Sequence, residues 1–92
     1  MKSILQSEKR CYLCGSTVDL ECHHILFGTA LRKIADKHGF KVWLCSYHHR
    51  DNKNGVHGNR ETDLKLKRDC QRTYEEKHTR EQWLQLAGRN YL

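Results

Sequence analysis

The order of apolar and polar positions divides the chain into short elements. Phe40, Val42 and Leu44 recur at every second position in "FKVWLC". Period two places them on one side of a strand, and this run is the clearest strand in the sequence. An earlier run, "TVDLECHHI", predicts a second strand with looser alternation. Between the two, "TALRKIADKHG" changes period. Leu31, Ile34 and Ala35 share a helical face, Thr29 can cap its start, and Gly39 ends it. The pattern after the strand, "SYHHRDNK", predicts a short helix with Ser46 as its cap. "NGVHGN" holds two glycines and two asparagines, which break any period and predict a loop. Residues 61–78 predict the longest helix, with Leu66, Cys70 and Tyr74 as its packing side. "TREQWLQLAG" predicts a last helix, in which Thr79 and Gln82 form a capping box and Gly88 the C-cap. Residues 1–10 predict a loose arm or a short helix.

Length limits what these elements can build. A chain of 92 residues makes one α+β domain with a thin core, and such domains often need a staple. There is no proline, internal repeat or low-complexity tract to mark a linker. The expected division is a core over about residues 11–58 and a helical part over about 59–92. No apolar run approaches the ~20 residues of a membrane span, and the apolar stretch in "MKSILQSEKRC" is too short for a signal peptide. A cytoplasmic protein is expected.

Cysteine usage identifies the staple. Five cysteines cannot all pair, and "CYLC" has metal-ligand spacing. Cys11 and Cys14 supply one half of a tetrahedral site. Cys45 and His48, in "CSYH", supply a second half of similar spacing. Zinc accepts three thiolates and one imidazole. The competing reading is a set of buried, unliganded cysteines. Cys22, beside His23, could substitute as a ligand. Cys70 lies on the apolar side of the longest helix and reads as a core residue.

Four of the seven histidines come in adjacent pairs, His23–His24 and His48–His49. Neighbours on a strand point to opposite sides, so adjacency is poorly explained by packing. One member of the first pair could bind a metal while the other faces a substrate. His49, beside a zinc ligand on a short helix, would be held rigidly. A metal that stabilises charge on a phosphate, with a free imidazole to accept a proton from water, is a workable hydrolytic site. His38 and His78 each lie near a helix C-terminus and have no metal-like neighbours. Trp43 and Trp83 sit in apolar stretches and are expected in the core.

Charge extends that picture to a partner. The net charge of +6 favours a polyanion, most simply nucleic acid. Residues 1–60 carry ten Lys/Arg against five Asp/Glu, hence +5; residues 61–92 carry seven against six, hence +1. The excess lies with the Cys/His motifs. Arg32, Lys33, Lys41, Arg50 and Lys53 surround them and are the candidate phosphate contacts; each could equally be a solvated surface charge.

The residues "CYLC…CHHI…FKVWLCSYHHRDNK", Cys11 to about Lys53, resemble the HNH family of ββα-metal nucleases. The longer run from "CHHI" through "ALRKIADKHGFKVWLCSYHH" and "GVHGN" to "GRNYL" is similar to small HNH-type proteins of phages and prophages. The resemblance implies a zinc-stapled ββα-metal core of treble-clef type with two C-terminal helices behind it. It implies that His23 binds a catalytic divalent metal (Mg²⁺, Mn²⁺, Ni²⁺ or Zn²⁺) and that His24 is the general base. It also implies that Cys45 and His48 bind the structural zinc, His48 replacing a cysteine, and that His49 binds the catalytic metal. Two departures stand out. The family's middle Asn is absent from "GFKV", and neither Asn52 nor Asn54 can be assigned to its role. A further ligand position, one turn after the first helix histidine, is Lys53, which cannot ligate while protonated. His57 is then the candidate third ligand, or else a loop histidine touching phosphate or nothing.

The implied activity is metal-dependent DNA endonuclease cleavage, leaving 5′-phosphate and 3′-hydroxyl ends with weak intrinsic sequence preference. The implied setting is a bacterial or phage-infected cell, with phage packaging or recombination proteins as possible partners. The alternative function is a zinc-stabilised DNA- or protein-binding module without catalysis.

Overall fold

The computed structural model describes all 92 residues and shows an α+β architecture of two strands and four helices. Strands β1 (Leu20–His24) and β2 (Lys41–Cys45) pair antiparallel. Cys45 stands opposite Leu20 at one end and Lys41 opposite His24 at the other. Directly opposed residues share a face. Glu21 and His23 therefore lie on the face of Leu44 and Val42, while His24 shares the other face with Lys41. The pleat does what the adjacent histidines required.

Helix α1 (Thr29–His38) fills the connection between the strands. Ala35 is buried, and Leu31 and Ile34 pack against the core, as their spacing predicts. Gly39 ends the helix in the left-handed conformation at φ 78°. A Cβ there would also lie 3.2 Å from the Lys2 carbonyl, so the position needs glycine twice over. Thr29 is not the cap. It is the first helical residue, and Gly28 takes the cap position at φ 97° with no side-chain hydrogen bond.

Helix α2 (Ser46–Arg50) departs from expectation at both ends. The strand runs straight into it, so Cys45 occupies the cap position and Ser46 is already helical. The helix stops before Asp51, whose side chain accepts hydrogen bonds from the backbone of Lys53 (3.1 Å) and Asn54 (2.9 Å). That local bond competes with another helical turn. The loop beyond folds back tightly, and Val56 N–H donates to the His48 carbonyl at 2.7 Å. A Cβ at Gly58 would lie 2.2 Å from the Asn52 carbonyl oxygen, so only glycine fits.

Helix α3 (Arg60–Glu75) is capped by Asn59, which accepts from Thr62 N–H at 3.1 Å. It ends three residues before the expected 78, because the chain must extend at Thr79 to cap helix α4 (Arg80–Ala87). The capping box of Thr79 and Gln82 and the left-handed Gly88 are both present. Leu66 and Cys70 are buried on α3 and pack with Trp83, Phe40, Ile25 and Leu26 in one core. Gln71 is buried among them and fully used. It donates to Glu75 (2.6 Å) and Asn90 (2.8 Å) and accepts from Tyr91 N–H (2.7 Å).

The first residues form neither a loose arm nor a helix. They lie along the outer edge of β2: Ile4 N–H donates to the Gly39 carbonyl (3.0 Å), Ser3 Oγ to the Lys41 carbonyl, and Trp43 N–H to Gln6 Oε1 (2.7 Å). Trp43 is only half-buried, under the Lys9 ammonium 4.7 Å from its ring. Trp83 alone of the two tryptophans is a core residue. No helix is long and apolar enough to cross a membrane.

Candidate functional site

Two clusters of metal-ligating side chains meet at α2. In the first, the ligand atoms of Cys11, Cys14, Cys45 and His48 all lie within 4.8 Å of one another. The Cys45 thiol is 3.3 Å from His48 Nδ1, and the Cys14 thiol is 3.8 Å from Cys45. The knuckle is seated on β2 by Tyr12 N–H, which donates to the Trp43 carbonyl at 2.8 Å. It turns at Gly15, whose N–H donates to the Cys11 carbonyl with φ 80°. Burial raises the Cys11 thiol, but backbone N–H groups of Cys45, Cys14 and Leu13 outweigh it and bring the group down to about 6. A thiolate favoured by backbone donors is the form that binds a metal. This Cys3His set could hold a structural metal such as zinc. Cys22 stands apart from it, and Cys70 is a core residue, its thiol pushed up by burial.

In the second cluster, ring nitrogens of His23, His49 and His57 also lie within 4.8 Å of one another. His23 comes from β1, His49 from α2 and His57 from the glycine loop. His49 Nε2 and His57 Nε2 approach to 3.2 Å. At that separation either one imidazole donates to the other or both lone pairs address one point. His23 is 2% exposed, and its Nε2 has no hydrogen-bond partner. Burial, then the neighbouring His49 and His57 rings, push His23 down to about 3. His57 is lowered too, by burial first and then by His49. Lowered imidazoles at His23 and His57, with an orphaned buried nitrogen on His23, fit a divalent cation.

The carboxylate of Glu21 supports this cluster. Glu21 Oε1 lies 2.8 Å from His49 Nδ1, which leaves His49 Nε2 facing its partners. Arg50 Nε donates to both oxygens of the same carboxylate, at 2.8 and 2.9 Å. Arg50 and then His49 hold Glu21 below the usual carboxylate range. A carboxylate on the far nitrogen of a ligating histidine fixes its orientation and raises its basicity.

Both His23 and His24 line an open cleft of ≈ 840 Å³. His49 and His57 share its wall, and Phe27 stands at its lip with the Lys67 ammonium 4.3 Å from the ring. Thr29, Arg32, Lys33 and Asp36 line the opposite side. Their spacing of three, four and seven is one helical stripe, so α1 turns its apolar face to the core and a polar face to the cleft. Of the five expected phosphate contacts, Arg32, Lys33 and Arg50 line the cleft. Lys41 is instead drawn to Asp36 (3.2 Å), and Lys53 lies in the turn after α2, outside the cleft lining.

Sequence reasoning missed Glu21 and Asp36. The signals were present: Glu21 lies two residues before His23 on one strand face, and Asp36 belongs to the α1 stripe. No protein-family model, curated protein or solved structure matches the chain.

Proposed function

We propose that the chain is a divalent-metal-dependent DNA endonuclease of the HNH, ββα-metal type, with a structural zinc at the Cys3His set. The carrying observation is that three imidazoles from separate segments converge in a basic cleft beside a fourth, His24, that lies outside their cluster. His23, His49 and His57 would hold the catalytic ion, which when bound supplies charge stabilisation at the scissile phosphate and the leaving oxygen. His24 takes a proton from the attacking water. Arg32, Lys33 and Arg50 hold the phosphate backbone in the cleft. Backbone contacts carry no base information, so sequence preference is weak. The expected products carry 5′-phosphate and 3′-hydroxyl ends. The proposed setting is the cytoplasm of a bacterial or phage-infected cell, where packaging or recombination proteins are candidate partners.

The test is plasmid nicking by the purified chain with Mg²⁺, Mn²⁺, Ni²⁺ and Zn²⁺ in turn, beside a His24→Ala variant. The variant should lose roughly 10²–10⁴-fold in rate and keep its zinc and its DNA binding. Added metal should not restore it, because what it lacks is a proton acceptor. A His24→Ala variant that nicks as fast as the parent removes the catalytic reading and leaves a zinc-stabilised binding module.

A further inference from the structure

His24 does not stand free in the cleft. Its Nε2 lies 2.7 Å from Asp36 Oδ1, and the Lys41 ammonium lies 3.2 Å from the same oxygen. The three groups come from different elements. His24 ends β1, Lys41 faces it across the strand pair, and Asp36 leans over both from α1. The side chains of His24 and Lys41 are 15% and 12% exposed, so each is confined, whereas Asp36 is 55% exposed. A proton on Nε2 would satisfy Asp36 across the 2.7 Å between them and leave the lone pair on Nδ1.

We infer that Asp36 is a positioning residue that holds His24 in the Nε2–H tautomer, so that Nδ1 is the atom that accepts the proton from water. This rests on the reading of His24 as general base, and it gives α1 a part in the reaction. The Asp36 carboxylate, carried by α1, braces the histidine that ends β1. Lys41, expected to bind phosphate, is assigned here to fixing the carboxylate. Its ammonium addresses the same oxygen as His24 and so pins the carboxylate between them.

That last point separates orientation from charge. Asp36→Asn retains an oxygen that Lys41 and His24 can share, whereas Asp36→Ala removes the acceptor. The first measurement is the tautomer of His24 in ¹⁵N-histidine-labelled, zinc-loaded protein, by two-bond ¹H–¹⁵N correlation above the ordinary imidazole pKa. A His24→Gln variant identifies the resonances. The parent and Asp36→Asn should show the Nε2–H form, and Asp36→Ala a mixture. The second measurement is plasmid nicking with Mn²⁺. Asp36→Ala should lower kcat by about 10- to 100-fold, the range typical of an outer-shell partner, with KM for DNA unchanged. Asp36→Asn should recover most of that loss.

A parent in the Nδ1–H form, a His24 carrying both protons, or an Asp36→Ala variant with an unchanged tautomer would overturn the positioning role whether or not the chain cuts DNA. So would an Asp36→Ala variant that nicks at the parental rate with its tautomer lost. A chain that shows the expected tautomers but nicks no plasmid with any metal keeps the Asp36–His24 orientation and removes the nuclease reading instead.

Discussion

His48 and His49 are neighbours on one short helix, yet they serve clusters of opposite character. His48 joins three cysteines in a set of four ligand atoms, as many as a tetrahedral ion takes, all from the chain itself. His49 joins two other imidazoles beside an open cleft. Thiolate-rich closed sets suit a permanent ion, while three nitrogen donors leave room for water or substrate. Their surroundings differ in the same sense. Backbone N–H groups favour the thiolate at Cys11, whereas a side-chain carboxylate, Glu21, orients His49. A backbone-held site is tied to the fold; a side-chain-held site can be tuned without disturbing it.

That contrast can be broken hardest at Cys45. Cys45→Ser should release the zinc and abolish the cooperative thermal transition, since structural zinc supplies roughly 10–16 kcal/mol of apparent binding free energy in small domains. Cys70→Ala should still fold with zinc bound; elemental analysis and circular dichroism read both variants. At the other cluster, His49→Ala should stay folded and lose nicking by more than about 10²-fold in Mg²⁺, with partial rescue by Mn²⁺ or Ni²⁺, which imidazole suits better. If His49→Ala unfolds as Cys45→Ser does, the two clusters are not separable. Glu21→Gln should raise the half-saturating metal concentration by about 10- to 100-fold and leave zinc content unchanged; a metal titration of nicking decides it.

The cysteine set was legible in the sequence because each half-site is local: Cys11 with Cys14, Cys45 with His48, at spacings that bring both ligands to one turn. Both strands, the α4 capping box and the core face of α1 were legible for the same reason, as periods and caps are short-range. What spacing does not encode is which separated residues meet. Glu21 reaches His49 across 28 positions and Asp36 reaches His24 across 12. The helix caps failed differently. Thr29 and Ser46 have the right chemistry, but Gly28 and Cys45, a member of the Cys3His set, already hold those positions.

A further effect comes from pH. His23 is held down to about 3 in the fold, against about 6.5 when unfolded. Below the unfolded value the unfolded chain takes up a proton that the folded one refuses. Stability therefore falls as pH drops from about 6.5 toward 3, by up to about 1.4 kcal/mol per pH unit for this one group. Urea unfolding with no metal added beyond the zinc should show that slope lessened in His23→Gln. The smallest effect concerns the cleft wall. Arg32→Ala should reduce the slope of log affinity for duplex DNA against log salt by about 0.9, one phosphate contact, without changing sequence preference. An unchanged slope would remove Arg32 from the interface.

The arm that lies along β2 has a further consequence. A sheet of two strands has as many edges as strands, and an uncovered edge is a template for pairing with another molecule. Ser3, Ile4 and Gln6 occupy the carbonyls of Lys41 and Gly39 and the N–H of Trp43. These are the groups a second chain would otherwise seize. Residues without a motif or a period thus cover the open edge of β2. A chain trimmed to begin at Ser7 should stay folded at low concentration and still precipitate as its concentration rises.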